Sequence, residues 1–278
     1  MKLKHWKQVK LGILIAVLTV LAALFCFPLY ITLINSFKSY NEVVTGVASW
    51  PTVFQFENYS IVWKQLDFLR VFANSLIITV VSVGGILLLS APATYMFVRR
   101  PHRLSQFLFM MILSALVIPF QTLMIPLVKV ASELHMMDSI VGVIIMYWGF
   151  GIPLAVFLYH GFMKNIPREL EEAALIDGTG IAGAFFRIVL PLLKPVTTTI
   201  AILHSLWIWN DFLLPLITLS SKANQTIPLA AAVYFGQYNN EWHLAMAALV
   251  MAAVPVIIFF LIMQRNIIQG ITSGAVKG

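Results

Sequence analysis

Glu172, Ala173 and Ala174, followed by Gly178 and then by Ile188, Leu190 and Pro191, are the residues whose types and spacing say most about chemistry. They lie on a polar, helix-forming stretch between two apolar runs. An arginine on another protein could grip the Glu172 carboxylate through two parallel hydrogen bonds. The small side chains of Ala173 and Ala174 would let that surface approach the helix backbone. This chemistry suits docking better than catalysis; the plain alternative is a hairpin on a membrane surface with solvated glutamates. A second patch, Trp207, Trp209, Asn210 and Asp211, combines aromatic faces with hydrogen-bonding groups. The plain reading of Asp211 is a buried structural carboxylate.

Nothing of the catalytic or metal-binding kind accompanies these residues. His5, His102, His135, His160, His204 and His243 are not spaced with a carboxylate or a second histidine as a metal site requires. Cys26 is the single cysteine, which excludes an internal disulfide or a thiolate cluster. Neither a G-x-S-x-G elbow nor a G-x-x-x-x-G-K-[ST] loop occurs. Residues Gly178 to Gly183 satisfy G-x-G-x-x-G, but a dinucleotide fingerprint must leave a strand and find an acid about 20 residues later on the next strand. Here the preceding Pro167 to Asp177 reads as helix, and the next acid, Asp211, lies in an apolar run. The sequence therefore predicts a non-catalytic chain that binds no metal and no cofactor of its own.

The elements that must position these residues follow from composition. Apolar residues make up 60% of the chain and charged ones 10%, with a mean hydropathy of +0.90, against about a quarter charged in soluble domains. A hydrocarbon core about 30 Å thick takes roughly 20 residues per helix. The windows 11–34, 71–98, 104–131, 139–162, 196–219 and 243–263 predict about six spans in one all-α polytopic membrane domain, 1–278, with a polar loop at 164–195 and a tail at 264–278. The first window is too long for a signal-peptide core and is expected to be retained. Lys2, Lys4, Lys7, Lys10, Arg99, Arg100, Arg103, Lys164, Arg168, Arg187, Lys194, Arg265 and Lys277 fall on one side, against Lys38, Lys64, Arg70 and Lys222 on the other. That asymmetry puts both termini in the cytoplasm. The net charge of +7 is thus spread over span ends, where anionic lipid headgroups explain it better than nucleic acid does. Pro92, Pro119, Pro126, Pro153, Pro215 and Pro255 are candidate kinks.

Within the polar loop, Pro167 suits a first helical turn, and Glu169, Glu171 and Glu172 place negative charge at the helix amino end. Gly178 and Gly180 permit a positive backbone dihedral or a close approach. A second helix is expected from Ile181 to Leu190, stopped by Pro191. The result is a compact elbow.

From Pro167 to Pro195, including Asp177 and the closing Leu190 to Pro195, the chain resembles the EAA loop of ABC-importer permeases. Phe72 to Ser75, Trp209 to Phe212 and the tail Gly270 to Gly278 are similar to the carbohydrate branch of that family, the maltose and multiple-sugar permease type. The resemblance implies the type I ABC-importer permease fold in a bacterial plasma membrane. It implies that Glu172, Ala173, Ala174, Asp177, Gly178, Ile188, Leu190 and Pro191 form a coupling segment seated in a separate ATPase, which binds ATP and Mg. The implied partners are a second homologous permease, two ABC ATPase subunits, an extracytoplasmic solute-binding protein, a sugar substrate, with an oligosaccharide favoured, and membrane lipid. Ile271, Thr272, Ser273, Gly274 and Ala275 become candidates to reach between the ATPases, a flexible unpaired tail being the alternative. Trp207, Trp209, Asn210 and Asp211 become candidates to line the translocation path. Two rivals stand beside this reading. A proton-coupled secondary transporter would be expected to carry more intramembrane ionisable groups and repeated halves, and a membrane enzyme would need a catalytic cluster.

Overall fold

The computed structural model describes the backbone of residues 2–235 and 241–275, with side chains described at 6, 10–235 and 241–263. In chain order the α-helices are α1 (Lys2–Asn35), α2 (Tyr40–Thr45), α3 (Glu57–Gln65), α4 (Phe68–Arg99), α5 (Arg103–Ser114), α6 (Phe120–Glu133), α7 (Ile140–Met163), α8 (Glu169–Ile176), α9 (Ile181–Ala184), α10 (Leu190–Leu192), α11 (Lys194–Asn210), α12 (Leu213–Thr218), α13 (Ile227–Ala231) and α14 (Trp242–Ala275). Among the described residues there is no strand. Four stretches are long and apolar enough to cross a membrane: Lys10–Asn35, Phe68–Arg99, Ile140–Met163 and Trp242–Met263. A fifth is added if Ile181–Leu192 and Lys194–Asn210, bent by 71°, are taken as one span.

Two apolar windows that read as single spans are broken. Window 104–131 divides into α5 and α6 around a turn at 115–119, and window 196–219 divides into α11 and α12 at Asp211. The cause is the same in both. A proline ring clashes with the carbonyl four residues earlier and offers no N–H to it. For Pro119 that carbonyl belongs to Ala115, the residue closing α5; for Pro215 it belongs to Asp211, the residue closing α11. Pro92, Pro126 and Pro153 stay inside their helices.

Packing divides the chain into two compact units, Met1–Phe68 with Ala231–Pro255 and Leu69–Ala230 with Val256–Gly278. In the first, the apolar length of α1 is unburied, while the segment after it is tied by polar contacts. Asn58 Nδ2 donates to the carbonyls of Ser36 and Lys38, each at 2.9 Å. The fully buried Lys38 ammonium donates to the Gly46 carbonyl at 2.7 Å. Ser39 and Glu42 close a reciprocal cap on α2. The Glu42 carboxyl is pulled down to about 2 by the donors it accepts from, first the Thr52 hydroxyl and then the Ser39 and Thr52 amides.

The second unit contains the candidate site. Its core joins α4, α7 and α11 through Ile86, Tyr147, Tyr159 and Ile200. The helices approach closely where side chains are absent. A Cβ on Gly85 would lie 2.1 Å from the Trp148 indole nitrogen, and one on Gly151 would meet Ile86 and His204. At the end of α7 away from the elbow, Asp138 Oδ1 accepts from the amides of Ser220 and Ser221. Those donors, the Ser221 amide first, hold its carboxyl below the usual range. Asn74 Nδ2 donates to the carbonyls of Ala223 and Gln225, and Ser75 Oγ accepts from the Ile227 amide at 2.9 Å. The Asn-Ser pair near the start of α4 thereby clamps the segment that follows α12.

Gly85→Ala forces the Trp148 ring to move, and overpacking of this kind costs about 1–3 kcal/mol. Its apparent unfolding temperature in detergent should fall below that of Gly84→Ala, whose Cβ meets nothing within 4 Å. Equal unfolding temperatures for the two variants would show that the α4–α7 contact is loose.

Candidate functional site

The elbow is built from a short helix, a glycine turn and a sharp bend. Helix α8 carries Glu169, Glu171 and Glu172 in its first turn, where the helix dipole favours them. It ends at Asp177 in a paired turn: the Gly178 amide donates to the Leu175 carbonyl at 3.1 Å and the Thr179 amide to the Ala174 carbonyl at 2.9 Å. That pattern needs a left-handed residue between them, and Gly178 has φ +84°. Gly180 has φ −67°, a value open to any residue.

The second half differs from the sequence expectation. The helix does not stop at Pro191. From Ile181 it widens through a π-turn at Phe185–Val189, where the Leu190 amide reaches back to the Phe185 carbonyl, and it continues to Leu192 before bending 71° into α11. Pro191 follows the widened turn and lies in the short α10 that continues it. The bend falls where the ring of Pro195 opposes the Pro191 carbonyl four residues earlier. Ile188 and Leu190 are half-buried and Val189 fully buried, which seats this limb on the core.

One side chain fixes the elbow to the bundle. Glu171 is 6% exposed; its Oε1 accepts from Arg99 Nε at 2.7 Å and its Oε2 from the Tyr95 hydroxyl at 2.8 Å. Arg99 Nη2 also donates to the Ile166 carbonyl at 3.0 Å, and Arg168 Nη2 to the Val98 carbonyl at 3.3 Å. Adjacent residues on a helix point about 100° apart, so Glu172 is turned outward. The exposed face comprises Glu172, Ala173, Leu175 and Asp177, with Ile176 86% exposed. In the sequence Glu171 reads only as helix-end charge and Arg99 only as a marker of topology. The available signal was the pair of adjacent glutamates, since one helix cannot present both to the same surface.

At the helix break, Asp211 Oδ1 accepts from the Leu213 amide at 3.0 Å and Oδ2 from the Tyr147 hydroxyl at 2.9 Å. Trp207 packs edge-on to Tyr147, with centroids 5.5 Å apart. Trp209 instead meets Phe72, and Asn210 Nδ2 turns back to the Leu206 carbonyl. The structure therefore joins Trp207 and Asp211 through Tyr147 and separates them from Trp209 and Asn210. Side chains of Ile271, Thr272, Ser273, Gly274 and Ala275 lie outside the described residues. Among the described residues no group of three or more His, Cys, Asp or Glu side chains could hold a metal.

Long apolar helices with an exposed polar elbow at their ends define a multi-pass membrane protein. The chain matches, with a TM-score of 0.78 and 25% identity, a chain of the "Crystal structure of a bacterial ABC transporter involved in the import of the acidic polysaccharide alginate", covering 93% of this chain and 97% of that one. It is 42% identical to "Probable starch degradation products transport system permease protein AmyC" of Thermoanaerobacterium thermosulfurigenes, over 93% of this chain and 94% of AmyC. It is 37% identical to "Melibiose/raffinose/stachyose import permease protein MelC" of Bacillus subtilis, over 94% of this chain and 96% of MelC. Residues 85–273 match the family described as "Binding-protein-dependent transport system inner membrane component", and the chain belongs to it. It is a multi-pass, non-catalytic permease subunit that works with a partner ATPase and other subunits.

Removing one member of a buried ion pair leaves an uncompensated charge, a loss of about 3–5 kcal/mol. Arg99→Ala should therefore raise amide exchange over 169–176 far more than Tyr95→Phe does. The double variant Arg99→Met/Glu171→Leu should recover most of the protection, and failure to recover would mean that the pair is not the tether.

Proposed function

We propose that this chain forms half of the translocation pathway of an ATP-driven oligosaccharide importer and couples that pathway to the ATPase through its elbow. The observation that carries the coupling role is a short helix fixed on one side by Glu171 and bare on the other. Oligosaccharides are favoured by the transport roles in the names of AmyC and MelC. The complex comprises a second homologous permease, two ABC ATPase subunits that bind ATP and Mg, and an extracytoplasmic solute-binding protein. It lies in a bacterial plasma membrane with both termini of this chain cytoplasmic, the orientation that the basic residues at span ends favour.

In this reading Glu172, Ala173, Ala174, Asp177 and Gly178 enter a cleft of the ATPase, with Ile176 as the apolar contact. Ile188, Leu190 and Pro191 form the limb that carries displacement toward α11. The tail residues Ile271 to Ala275 reach between the ATPases. Closure of the ATP-loaded dimer moves the elbow, and helices that satisfy their own backbone groups tilt as rigid bodies. Asp211 and Trp207, at the break between α11 and α12, offer a carboxylate and an aromatic face to a passing sugar, the buried Tyr147 holding the carboxylate in place; Trp209 and Asn210 support that segment.

Gly178→Leu is a poor probe because φ +84° strains any side chain there. Ile176→Asp changes only the bare face. Purified in mild detergent from its native membrane, the wild-type chain should carry an ABC ATPase and a second permease in quantitative mass spectrometry, and Ile176→Asp should lose the ATPase while keeping the second permease. Retention of the ATPase at wild-type level would remove the elbow from the interface. Sugar uptake that survives ATP depletion but stops when the proton gradient collapses would favour the secondary-transporter reading.

A further inference from the structure

A cavity of about 800 Å³ lies at the root of the elbow, where four helix ends meet. Its wall draws on the end of α4 at Arg99, the start of α5 at Ser105, the end of α7 at His160 and Lys164, and the entry to α8 at Arg168 and Glu169. Arg99 is committed to Glu171. Arg168 spends one of its five N–H donors on the Val98 carbonyl, and Lys164 is exposed to solvent. Against these two cations the lining carries one carboxylate, Glu169, which leaves one positive charge unbalanced. Ser105 also lines the wall, 6% exposed and with a hydroxyl that has no hydrogen-bond partner.

The cavity does not end at the polar level. Phe109 and His160, stacked with ring centroids 4.0 Å apart, line both it and an apolar groove of about 320 Å³ formed with Leu113, Phe157, Leu158 and Gly161. Leu113 lies one turn beyond Phe109 on α5, and Phe157 one turn before Gly161 on α7. The groove therefore runs along both helices away from their basic ends and into the apolar length of α7. A charged chamber at the ends of spans that opens into an oily channel along them has the shape and polarity of a phospholipid.

We propose that this chamber and groove bind an anionic glycerophospholipid, its phosphate between Lys164 and Arg168 and one acyl chain between Phe109 and Phe157. Charge complementarity selects an anionic headgroup over a zwitterionic one, and the groove selects a lipid over a free anion. Basic pockets between spans at a membrane face favour such headgroups. The assignment does not depend on what the protein transports.

The test uses the full-length chain with its accompanying subunits, extracted in mild detergent and exchanged into mixed micelles of phosphatidylglycerol and phosphatidylcholine. Retained lipid is then quantified by mass spectrometry. Lys164→Gln weakens the headgroup end, and Gly161→Leu fills the groove from a position whose Cβ meets nothing within 4 Å. Wild type should retain phosphatidylglycerol over phosphatidylcholine. Lys164→Gln should cut that preference roughly fivefold, the effect of one basic residue near a membrane surface. Gly161→Leu should lower retention of both lipids, and millimolar inorganic phosphate should displace neither. Equal retention of the two lipids by wild type, or unchanged retention in both variants, would overturn the proposal. Displacement by inorganic phosphate would identify a soluble-anion site and overturn it equally.

Discussion

Burying the carboxylate of Glu171 requires a cation and a donor at fixed positions, and the geometry of the elbow follows from that requirement. Arg99 and Tyr95 supply them from the last turns of α4. Desolvation offsets much of the attraction in such a pair, so its value lies in placement more than in net stability. Once Glu171 points inward, helical geometry turns Glu172 outward and leaves Leu175 and Ile176 uncovered. The same arginine reaches the Ile166 carbonyl and so fixes the chain just before the elbow begins. The elbow is thereby attached to the long apolar helix α4 at its base and left bare at its tip.

The second constraint is the accounting of backbone hydrogen bonds in an apolar surround. Helices satisfy it internally, and each break has to be satisfied by other means. At Asp211 the displaced backbone is met by the residue's own carboxylate, which takes the Leu213 amide while its other oxygen takes the Tyr147 hydroxyl. This explains how an acid is tolerated within an apolar run: both oxygens have donors, and one of them caps the next helix. His204 instead links two unbroken helices, its ring nitrogens lying 2.9 Å from the Ile200 carbonyl and 3.0 Å from the Gly151 carbonyl.

The sequence made the helical class, the long apolar helices and the turn at Gly178 legible, because each depends on local signals: apolar length, helix-end charge and the left-handed freedom of glycine. Glu172, singled out in the sequence as a carboxylate a partner could grip, is exposed. The buried role of Glu171 was not legible, since its partners lie more than 70 residues away in sequence and adjacent glutamates look alike until a helix phase is fixed. The breaks near Ala115 and Asp211 were hidden for a different reason. Several prolines occupy apolar runs, and the sequence alone does not say which is tolerated within its helix and which interrupts it. Pro191 illustrates the point: expected to end a helix, it sits within one, and the bend comes two residues later.

These features determine how displacement of α8 would travel. The Glu171 tether leads directly into α4, and the widened turn at Phe185–Val189 leads through Leu190 and the 71° bend into α11. Both routes converge on α7, which packs against α4 through Gly85 and Gly151 and against α11 through Tyr159, whose hydroxyl donates to Thr197 at 3.0 Å. Close-packed contacts of this kind transmit strain with little give. The compliant points are the bend at Leu193 and the interruption at Asp211, where the helical ladder is already open. Load entering at the elbow would therefore be expressed as rotation of α11 between these two points. Asp211 and Trp207 stand at the far one, with the buried Tyr147 holding the carboxylate, so a movement of the elbow would displace these side chains relative to one another.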